Sequence, residues 1–187
     1  WGQHKETIVN NESSDIIRMF NDGFGNLTRK SIDLYPIDLR PEIDDVNNRL
    51  YDHFNNGVYR AGFATTQIAY ERAVQEVFDS LDWIDQRLDI QNYLVGDRLT
   101  EADVRAFVTL IRFDAAYHGL FKTNRRQIAD YPKLTALMER VLALPGVRDT
   151  VNMDHITRGY YSIKALNPTG IRPTGPAHIR RLLDTVA

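Results

Sequence analysis

From Pro41 onward, apolar residues recur at intervals of three and four, which is the spacing of residues on one face of an α-helix. One stripe follows Pro41 and stops at Gly57, a second runs from about Thr66 to Leu88, and another follows Pro132. The members of the first stripe are Ile43, Val46, Leu50 and Phe54. Successive amphipathic helices bury their apolar faces against one another, so the pattern predicts an all-α bundle.

A capping motif marks the start of a further helix in this bundle. Thr100-Glu101-Ala102-Asp103 places a hydroxyl at the N-cap and a carboxylate three residues later, where each side chain can bond the other's backbone N–H. A core stripe follows, made of Val104, Phe107, Val108, Ile111 and Ala115. Asp103 is therefore expected to be a buried structural acid that caps its helix, not a catalytic group.

The front of the chain has a different pattern. The β-branched residues Thr7, Ile8 and Val9 predict a short strand over Glu6 to Val9, and a helix is predicted to follow over Ser14 to Phe20. Residues Asn21 to Arg40 lack a steady period and contain Gly23, Gly25 and Pro36. They are expected to form a long connector, which is typical of a domain junction.

The remaining segments have weaker patterns. Val58 to Phe63 is predicted to join the first two long helices, and a last helix is predicted over about Val147 to Tyr161. The tail beyond that helix is rich in residues that interrupt regular structure, namely Pro168, Gly170, Pro173, Gly175 and Pro176. We therefore expect the tail to be irregular and to lie over the surface.

The composition excludes several classes of function. A chain of 187 residues that is 43% hydrophobic can bury one sizeable core. Its net charge of −2 gives no sign of the basic surface that binds nucleic acid. No apolar run approaches the roughly 20 residues that a helix needs to span a bilayer. The chain has no cysteine, hence no disulfide and no cysteine nucleophile of its own. With no signal-peptide pattern either, a cytoplasmic location is expected.

The titratable residues do not form a recognisable metal or hydrolase motif. The histidines are scattered, without a metal-binding pair, at His4, His53, His118, His155 and His178. We therefore predict no metal site, and we expect paired carboxylates such as Asp44 and Asp45 to be solvated on a helix face.

Two sites are candidates for ligand contacts. Glu12 and Ser13 lie between the predicted strand and its helix, where the helix N-terminus and the Ser13 hydroxyl could hold a carboxylate and Glu12 an ammonium group. Such a site fits the α-amino acid end of a ligand, although Ser13 acting only as a helix cap is the simpler interpretation.

The second candidate is aromatic. Tyr59-Arg60 and Arg158-Gly159-Tyr160-Tyr161 could converge on a cleft, line a pocket for an aromatic substrate and offer phenolic donors. Packing in the core or at its rim is the plainer alternative for such tyrosines.

Several segments together resemble a known family. Residues 93–103, which contain the capping motif, are similar to the start of the core helix in glutathione transferase C-terminal domains. A more specific resemblance, to the glutathionyl-hydroquinone reductases of the Xi class, rests on segments distributed along almost the whole chain. They are residues 8–20, 56–67, 112–114, 151–156, 160–161 and 167–171.

The resemblance implies a thioredoxin-like domain that binds glutathione, followed by an all-α domain that shapes the second-substrate pocket. Enzymes of this family remove glutathione from glutathionyl-hydroquinones by thiol exchange at a cysteine, with glutathione as co-substrate. By resemblance, Glu12 and Ser13 match the pair that binds the γ-glutamyl end. Tyr59 and Tyr161 match tyrosines of the hydroquinone pocket, with Tyr160 as the near alternative to Tyr161.

The resemblance also implies a division of the chain. Residues 1–25 would be a β-α remnant of the thioredoxin-like domain, 26–40 the connector, 41–163 the all-α domain and 164–187 an extended tail. No catalytic residue is assigned, because the family's cysteine would lie upstream. We expect the chain to be inactive alone and to belong to a homodimer. Two alternatives remain: a conjugating glutathione transferase, and a non-catalytic interaction module of the same fold.

Overall fold

The computed structural model describes residues 4, 6–27 and 32–184, with Asn26 described by its backbone alone. These residues form α-helices joined by short turns, and none of the helices is long and apolar enough to cross a membrane. The helices are α1 Ser13–Asp22, α2 Arg40–Leu50, α3 Gly57–Gly62, α4 Gln67–Arg87, α5 Glu101–Arg112, α6 His118–Leu120, α7 Pro132–Leu142, α8 Met153–Tyr161 and α9 Ala177–Asp184.

Tighter and wider helical turns link these helices. Two wide π-type turns extend existing helices, Tyr51–Asn55 after α2 and Phe113–Tyr117 after α5. Short 3-10 turns lie at Gly25–Leu27, Ile128–Asp130 and Arg148–Thr150. The all-α prediction is thus confirmed for the part of the chain that the structure describes.

The core is formed largely by the apolar stripes that the sequence predicts. The stripe predicted for α5 is wrong at Val108, which is 42% exposed, because α5 turns Ala106 and Leu110 toward the core instead. Ile43, Val46, Leu50 and Phe54 are all buried, and so are the inward residues of α4 and α7. Each fully buried aliphatic or aromatic side chain contributes roughly 1.5–3 kcal/mol of transfer free energy, so these stripes hold the helices together. Among the largest fully buried side chains are Phe54, Phe113, Phe121, Leu81, Leu110 and Leu134.

The capping box of α5 is confirmed. Asp103 is fully buried and accepts hydrogen bonds from the Leu94 N–H at 2.7 Å, the Thr100 N–H at 2.9 Å and the Thr100 hydroxyl at 3.0 Å. Burial raises the pKa of the Asp103 carboxyl, and these three donors oppose the rise. Asp103 therefore has the structural role predicted for it, because its carboxylate anchors the loop before α5.

The predicted connection between the first two long helices is instead the helix α3. Gly57, where the first stripe was expected to stop, is the first residue of α3. A Cβ at Gly57 would lie 2.9 Å from Val77 Cγ2 on α4, and one at Gly62 would lie 2.6 Å from the Phe121 ring. These glycines permit a close approach of helices. The helical segment of the first stripe ends at Asn55, next to the predicted stop, but Gly57 begins a further helix where a non-helical connection was expected.

Both ends of the chain differ from the sequence-based expectation. Among the described residues no strand forms over Glu6 to Val9: Thr7 makes an isolated bridge, and Ile8 and Val9 are 64% and 59% exposed. A β-branched run needs neighbouring strands to become a stable strand, and the described residues supply none. Of the predicted β-α remnant, the described residues therefore contain the helix, α1, but not the strand.

The tail also contains a helix that was not expected. Residues 168–176 lack regular structure, as predicted, but α9 follows them and buries Ile179 in the bundle. The prediction of an extended tail over 164–187 is therefore wrong for residues 177–184. These residues contain no glycine or proline, so a helix can form there once the Pro- and Gly-rich segment has ended. The last predicted helix begins later than Val147, at Met153, where the Asn152 side chain accepts from the His155 N–H at 3.0 Å.

Candidate functional site

Three tyrosines from separate elements meet with their hydroxyls in contact. Tyr59 lies on α3, Tyr117 at the end of the wide turn after α5, and Tyr160 near the end of α8. The Tyr59 and Tyr160 oxygens are 2.8 Å apart and the Tyr59 and Tyr117 oxygens 3.3 Å, while Tyr117 and Tyr160 share a short hydrogen bond. We refer to these three residues as the tyrosine cluster.

The rings of the cluster are held by the aromatic core. Tyr117 is 3% exposed, and its ring meets that of Tyr160 edge-to-face at 5.1 Å between centroids. Phe121, which is fully buried, lies against all three rings at centroid distances of 5.2–5.8 Å. Edge-to-face aromatic pairs fix ring orientation, so the hydroxyls are presented from a rigid base.

The environment keeps these phenols protonated. Burial, followed by hydrogen bonds with Tyr160 and Tyr59, raises the pKa of Tyr117 well above its usual value. Burial also raises the pKa of Tyr160 to about 12. Tyr117 and Tyr160 are therefore neutral at physiological pH and act as hydrogen-bond donors and acceptors, which suits them to hold the oxygens of a phenolic ligand.

The cluster faces an open groove of about 510 Å³. Ser13, at the start of α1, lines the same groove together with polar and basic residues of α5 and the turn before α3. The remaining lining residues are Tyr51, Asn55, Asn56, Arg105, Val108, Thr109 and Arg112. One surface thus brings a helix N-terminus, phenolic hydroxyls and two guanidinium groups together.

Glu12 and Ser13 lie at the N-terminus of α1. Glu12 is the N-cap residue, but no side chain caps this helix, so the interpretation of Ser13 as a simple cap is wrong. The Ser13 hydroxyl makes no hydrogen bond within the part of the chain that the structure describes. The first N–H groups of a 10-residue helix and this hydroxyl are therefore available to an anionic group.

A second hollow, of about 490 Å³, adjoins the groove. Glu12 lines it together with Ser14, Arg18, Asp44, Asn47 and Asn48. Tyr51 and Arg105 line both hollows, so they form the boundary between them. An elongated ligand could place an amino-acid end beside Glu12 and Ser13 and a ring beside the tyrosine cluster.

The structure brings Tyr59 and Tyr160 together and places Tyr161 elsewhere. Tyr161 is not among the residues that line the groove, and its hydroxyl points toward Gly119 on α6, where an added Cβ would lie 3.4 Å away. Tyr117 takes the third position of the cluster and was not anticipated. Its place at the end of the α5 core stripe made it indistinguishable from a core aromatic, and no sequence pattern pairs it with Tyr59 or Tyr160.

Metal ligation has no counterpart in this site. In the ranges that the structure describes, no three His, Asp or Glu side chains lie close enough together to hold an ion. Of the scattered histidines, His178 on α9 has a clear structural contact, since its Nε2 lies 2.7 Å from Asp114 Oδ2.

The chain is similar to known proteins over most of its length. A family model for the glutathione S-transferase C-terminal domain matches residues 67–140. Glutathionyl-hydroquinone reductase PcpF of Sphingobium chlorophenolicum is 52% identical over 178 residues, which are 95% of this chain and 57% of that protein. Glutathionyl-hydroquinone reductase YqjG of Escherichia coli is 48% identical over 94% of this chain and 54% of its own length. The chain thus spans little more than half of the curated relatives it matches.

Solved structures share the fold closely. The glutathione-bound structure of YqjG from Escherichia coli matches with a TM-score of 0.90 at 48% identity, covering 94% of this chain and 57% of that one. Glutathione-S-transferase Xi from Phanerochaete chrysosporium matches with a TM-score of 0.91 at 49% identity, covering 96% and 59%. The chain therefore belongs to the glutathione transferase superfamily, and close homologues of it are glutathionyl-hydroquinone reductases.

Proposed function

We propose that this chain forms the helical domain of a glutathione-dependent reductase that removes glutathione from glutathionyl-hydroquinones. The observation that carries the proposal is the shared groove, in which Ser13 at the N-terminus of α1 lies on the same surface as the tyrosine cluster. The names of the homologues PcpF and YqjG support the same reaction.

Glutathione would bind at the α1 end of the groove. Its γ-glutamyl carboxylate would accept from the Ser13 hydroxyl and from free N–H groups of the first turn of α1, and its ammonium group would pair with Glu12. Support comes from the absence of a side-chain cap on α1 and from the glutathione-bound structure of the homologue YqjG. No metal is needed for this mode of binding.

The hydroquinone ring would bind at the other end of the groove. Tyr59 and Tyr160 would hydrogen-bond to the ring oxygens, with Tyr117 fixing their hydroxyls in place. Tyr161, implied by the family resemblance, would contribute only if the ligand reached beyond the groove. Neutral phenols suit this role because they can donate to an oxygen that gains charge as the ring loses its sulfur substituent.

The reaction itself would be a thiol exchange. A cysteine thiolate attacks the sulfur of the conjugate, the bond between that sulfur and the ring breaks, and a proton replaces sulfur on the ring carbon. A second glutathione then attacks the enzyme–glutathione disulfide, which releases oxidised glutathione and restores the thiol. These 187 residues contain no cysteine, so we propose that they are inactive alone and that the thiolate comes from outside them.

The organisation of the parent protein is part of the proposal. Residues 1–25 would complete a thioredoxin-like glutathione-binding domain, 26–40 would connect it, 41–163 would be the helical domain and 164–187 would cover its surface. We further propose a cytoplasmic homodimer, which the family resemblance suggests and a cysteine-free composition suits.

Binding of glutathione and of a glutathionyl-hydroquinone to the purified chain tests the site. We expect Ser13→Ala to weaken the binding of both ligands by about 10-fold or more, because one hydrogen bond to a charged group is lost, while Tyr160→Phe weakens the binding of the conjugate only. The matched control is Tyr161→Phe, one residue further along α8 and outside the groove. Equal affinity of all three variants and the parent chain in titration calorimetry would remove the support for this site.

The activity of the chain distinguishes the proposal from its alternatives. Released hydroquinone is measured for the chain alone and for a longer protein that supplies the cysteine. We expect turnover only from the longer protein. Turnover by the cysteine-free chain would contradict thiol exchange, whereas formation of a thioether from glutathione and an electrophile would favour a conjugating transferase. Binding without either activity, in both proteins, would favour the interaction module.

A further inference from the structure

Glu101 carries a buried carboxylate that the helix cap does not use. It is the first residue of α5 and is 3% exposed, beside the fully buried Asp103. Its Oε1 accepts from Arg18 Nη2 at 2.7 Å and from Asn47 Nδ2 at 2.8 Å, and Arg18 Nε lies 3.1 Å from Oε2. The Arg18–Glu101 pair is therefore a forked contact with both carboxylate oxygens engaged.

The guanidinium of Arg18 is also held from its other sides. Its Nη2 donates to Asp44 Oδ1 on α2 at 2.6 Å, so Asp44 is not the freely solvated carboxylate that was expected. The Tyr35 ring lies under the guanidinium at 3.8 Å, and the Tyr35 hydroxyl donates to Asp44 Oδ2 at 2.7 Å. The hydrogen bonds to Glu101 raise the pKa of Arg18, opposed by burial, so this group stays charged.

Few other contacts fix α1 to the bundle. This helix buries no residue, although it carries apolar side chains at Ile16, Ile17 and Phe20. In the ranges that the structure describes, every hydrogen bond from an α1 side chain to α2 or α5 comes from Arg18. Asn21 adds contacts only to the connector, accepting from the Leu34 N–H at 2.8 Å. The placement of α1 thus depends largely on one side chain.

We propose that Arg18 and Glu101 are positioning residues, which set the N-terminus of α1 at the correct distance from the tyrosine cluster. Ser13 lies on the same helix as Arg18 and lines the same groove as Tyr117 and Tyr160. Tyr117 is buried in the core, and the Tyr160 ring packs against Tyr117 and Phe121. This inference rests on the proposed function, because the distance matters only if one ligand spans both ends of the groove. Neither Arg18 nor Glu101 is required to touch the reacting atoms.

The chemistry of the pair favours placement over stability as its role. Removing two charges from water offsets most of their attraction, and apolar residues of similar size often stabilise a fold as well as a buried ion pair does. What apolar residues lack is directionality, since a fork of N–H groups on a carboxylate fixes both distance and angle. An Arg18→Met/Glu101→Leu double variant should therefore still fold, with some loss of stability because the buried Asn47 Nδ2 loses its acceptor, and it should lose the alignment of α1.

The test combines amide hydrogen exchange with ligand affinity in the full 187-residue chain. We expect exchange in α1 of the ligand-free double variant to be about tenfold faster than in the parent chain, while α4 and α5 change less than about twofold. The apparent affinity for glutathione should fall in proportion to the fraction of molecules in which α1 remains in place. Arg18→Lys should have a smaller effect of the same kind, because it keeps the charge without the fork. Arg72→Lys, at an exposed ion pair on α4, is the control.

The outcomes separate this inference from the proposed function. Unchanged exchange in α1, or an equal increase in α1, α4 and α5, would overturn the positioning role. If the parent chain itself fails to bind glutathione, the proposed binding site fails, while the exchange result still decides whether the Arg18–Glu101 pair places α1. Faster exchange in α1 with unchanged glutathione affinity would also overturn the inference, because placement would then have no bearing on the site.

Discussion

At the scale of single residues, the tyrosine cluster differs from ordinary tyrosines in the pKa values of its hydroxyl groups. Tyr117 and Tyr160 both have a raised pKa in the folded chain, that of Tyr160 to about 12, against about 10 in an unfolded chain. The folded state therefore binds these protons more tightly. The resulting stabilisation is complete below about pH 10 and is lost as the pH rises through about 12.

We accordingly predict that the unfolding free energy falls between pH 9 and pH 11.5 and that Tyr117→Phe/Tyr160→Phe reduces this fall. The measurement is urea unfolding at each pH, with Tyr51→Phe, an exposed tyrosine, as control. Some of the fall should remain in the double variant, because burial also raises the pKa of Tyr131 to about 12. An unaltered pH dependence would show that the cluster protons are not held more tightly by the fold.

Asp103 offers a second prediction at the residue scale. Asp103→Ala would leave the buried N–H groups of Leu94 and Thr100 without an acceptor, and it would remove the cap of α5. We expect a loss of roughly 2–4 kcal/mol in unfolding free energy, measured by urea denaturation. Asp97→Ala, in the exposed loop before the helix, should change stability by less than about 0.5 kcal/mol. Similar losses for both variants would argue against a specific capping role.

At the scale of elements, α3 shows how glycine in a helix can serve packing. Alanine usually stabilises a helix relative to glycine by up to about 1 kcal/mol. At Gly62 the added Cβ would lie 2.6 Å from the fully buried Phe121 ring, whereas at Gly159 in α8 nothing lies within 4 Å. We therefore predict opposite signs: Gly159→Ala stabilises the chain by about 0.5–1 kcal/mol, and Gly62→Ala destabilises it by about 1–3 kcal/mol.

Thermal or urea unfolding of both variants checks this pair of predictions. Because Phe121 supports the tyrosine cluster, Gly62→Ala should also weaken binding of the glutathionyl-hydroquinone, while Gly159→Ala should not. Stabilisation by Gly62→Ala would mean that Phe121 can move without cost.

The C-terminal helix α9 is attached by a few specific contacts. Ile179 is 1% exposed, His178 meets Asp114, and the Arg148 guanidinium donates to the carbonyls of Leu182 and Leu183 at 2.7 and 2.8 Å. We predict that Ile179→Ala lowers the unfolding free energy by about 2–4 kcal/mol or detaches α9, because it leaves a cavity under the helix. Hydrogen exchange distinguishes the two results, and Arg180→Ala, an exposed neighbour on α9, is the control.

At the scale of the whole molecule, the exposed apolar surface is concentrated before α2. Among the described residues, eight of the fifteen large exposed hydrophobic side chains precede Arg40, namely Ile8, Val9, Met19, Phe20, Phe24, Leu27, Ile32 and Ile37. The buried core, in contrast, begins at Ile43. This distribution predicts that the segment before α2 opens more readily than the bundle, since few buried apolar contacts hold it.

Limited proteolysis with chymotrypsin tests this difference. We expect the first cuts beside Phe20, Phe24 or Leu27 and a resistant fragment that begins near Arg40 and retains α2 to α8. Mass spectrometry of the fragments gives the result. A first cut within α4 or α5 would contradict the division, because those helices are buried on one face throughout their length.

The sequence by itself determined the helices and the lineage of this chain. Spacing of apolar residues located α2, α4, α5 and α7, and the Thr100-to-Asp103 motif located the start of α5, because these signals act within one helix turn or along one face. The segments that resemble the Xi class indicate the same family as the comparisons with known proteins. Glu12, Ser13, Tyr59 and Tyr160 are candidates from the sequence alone, and three of them, Ser13, Tyr59 and Tyr160, line one groove.

Only the tertiary structure decided which distant residues meet. Tyr117 and Tyr160 are separated by 43 positions and Arg18 and Glu101 by 83, and no periodicity relates such pairs. Which stripe faces which neighbour depends on how whole helices stack, and stacking is set by packing over many side chains at once. For the same reason the sequence did not predict the helix α3 that begins at Gly57, the ion pair of Asp44 or the helix α9. Each of these features depends on a contact with a residue far along the chain.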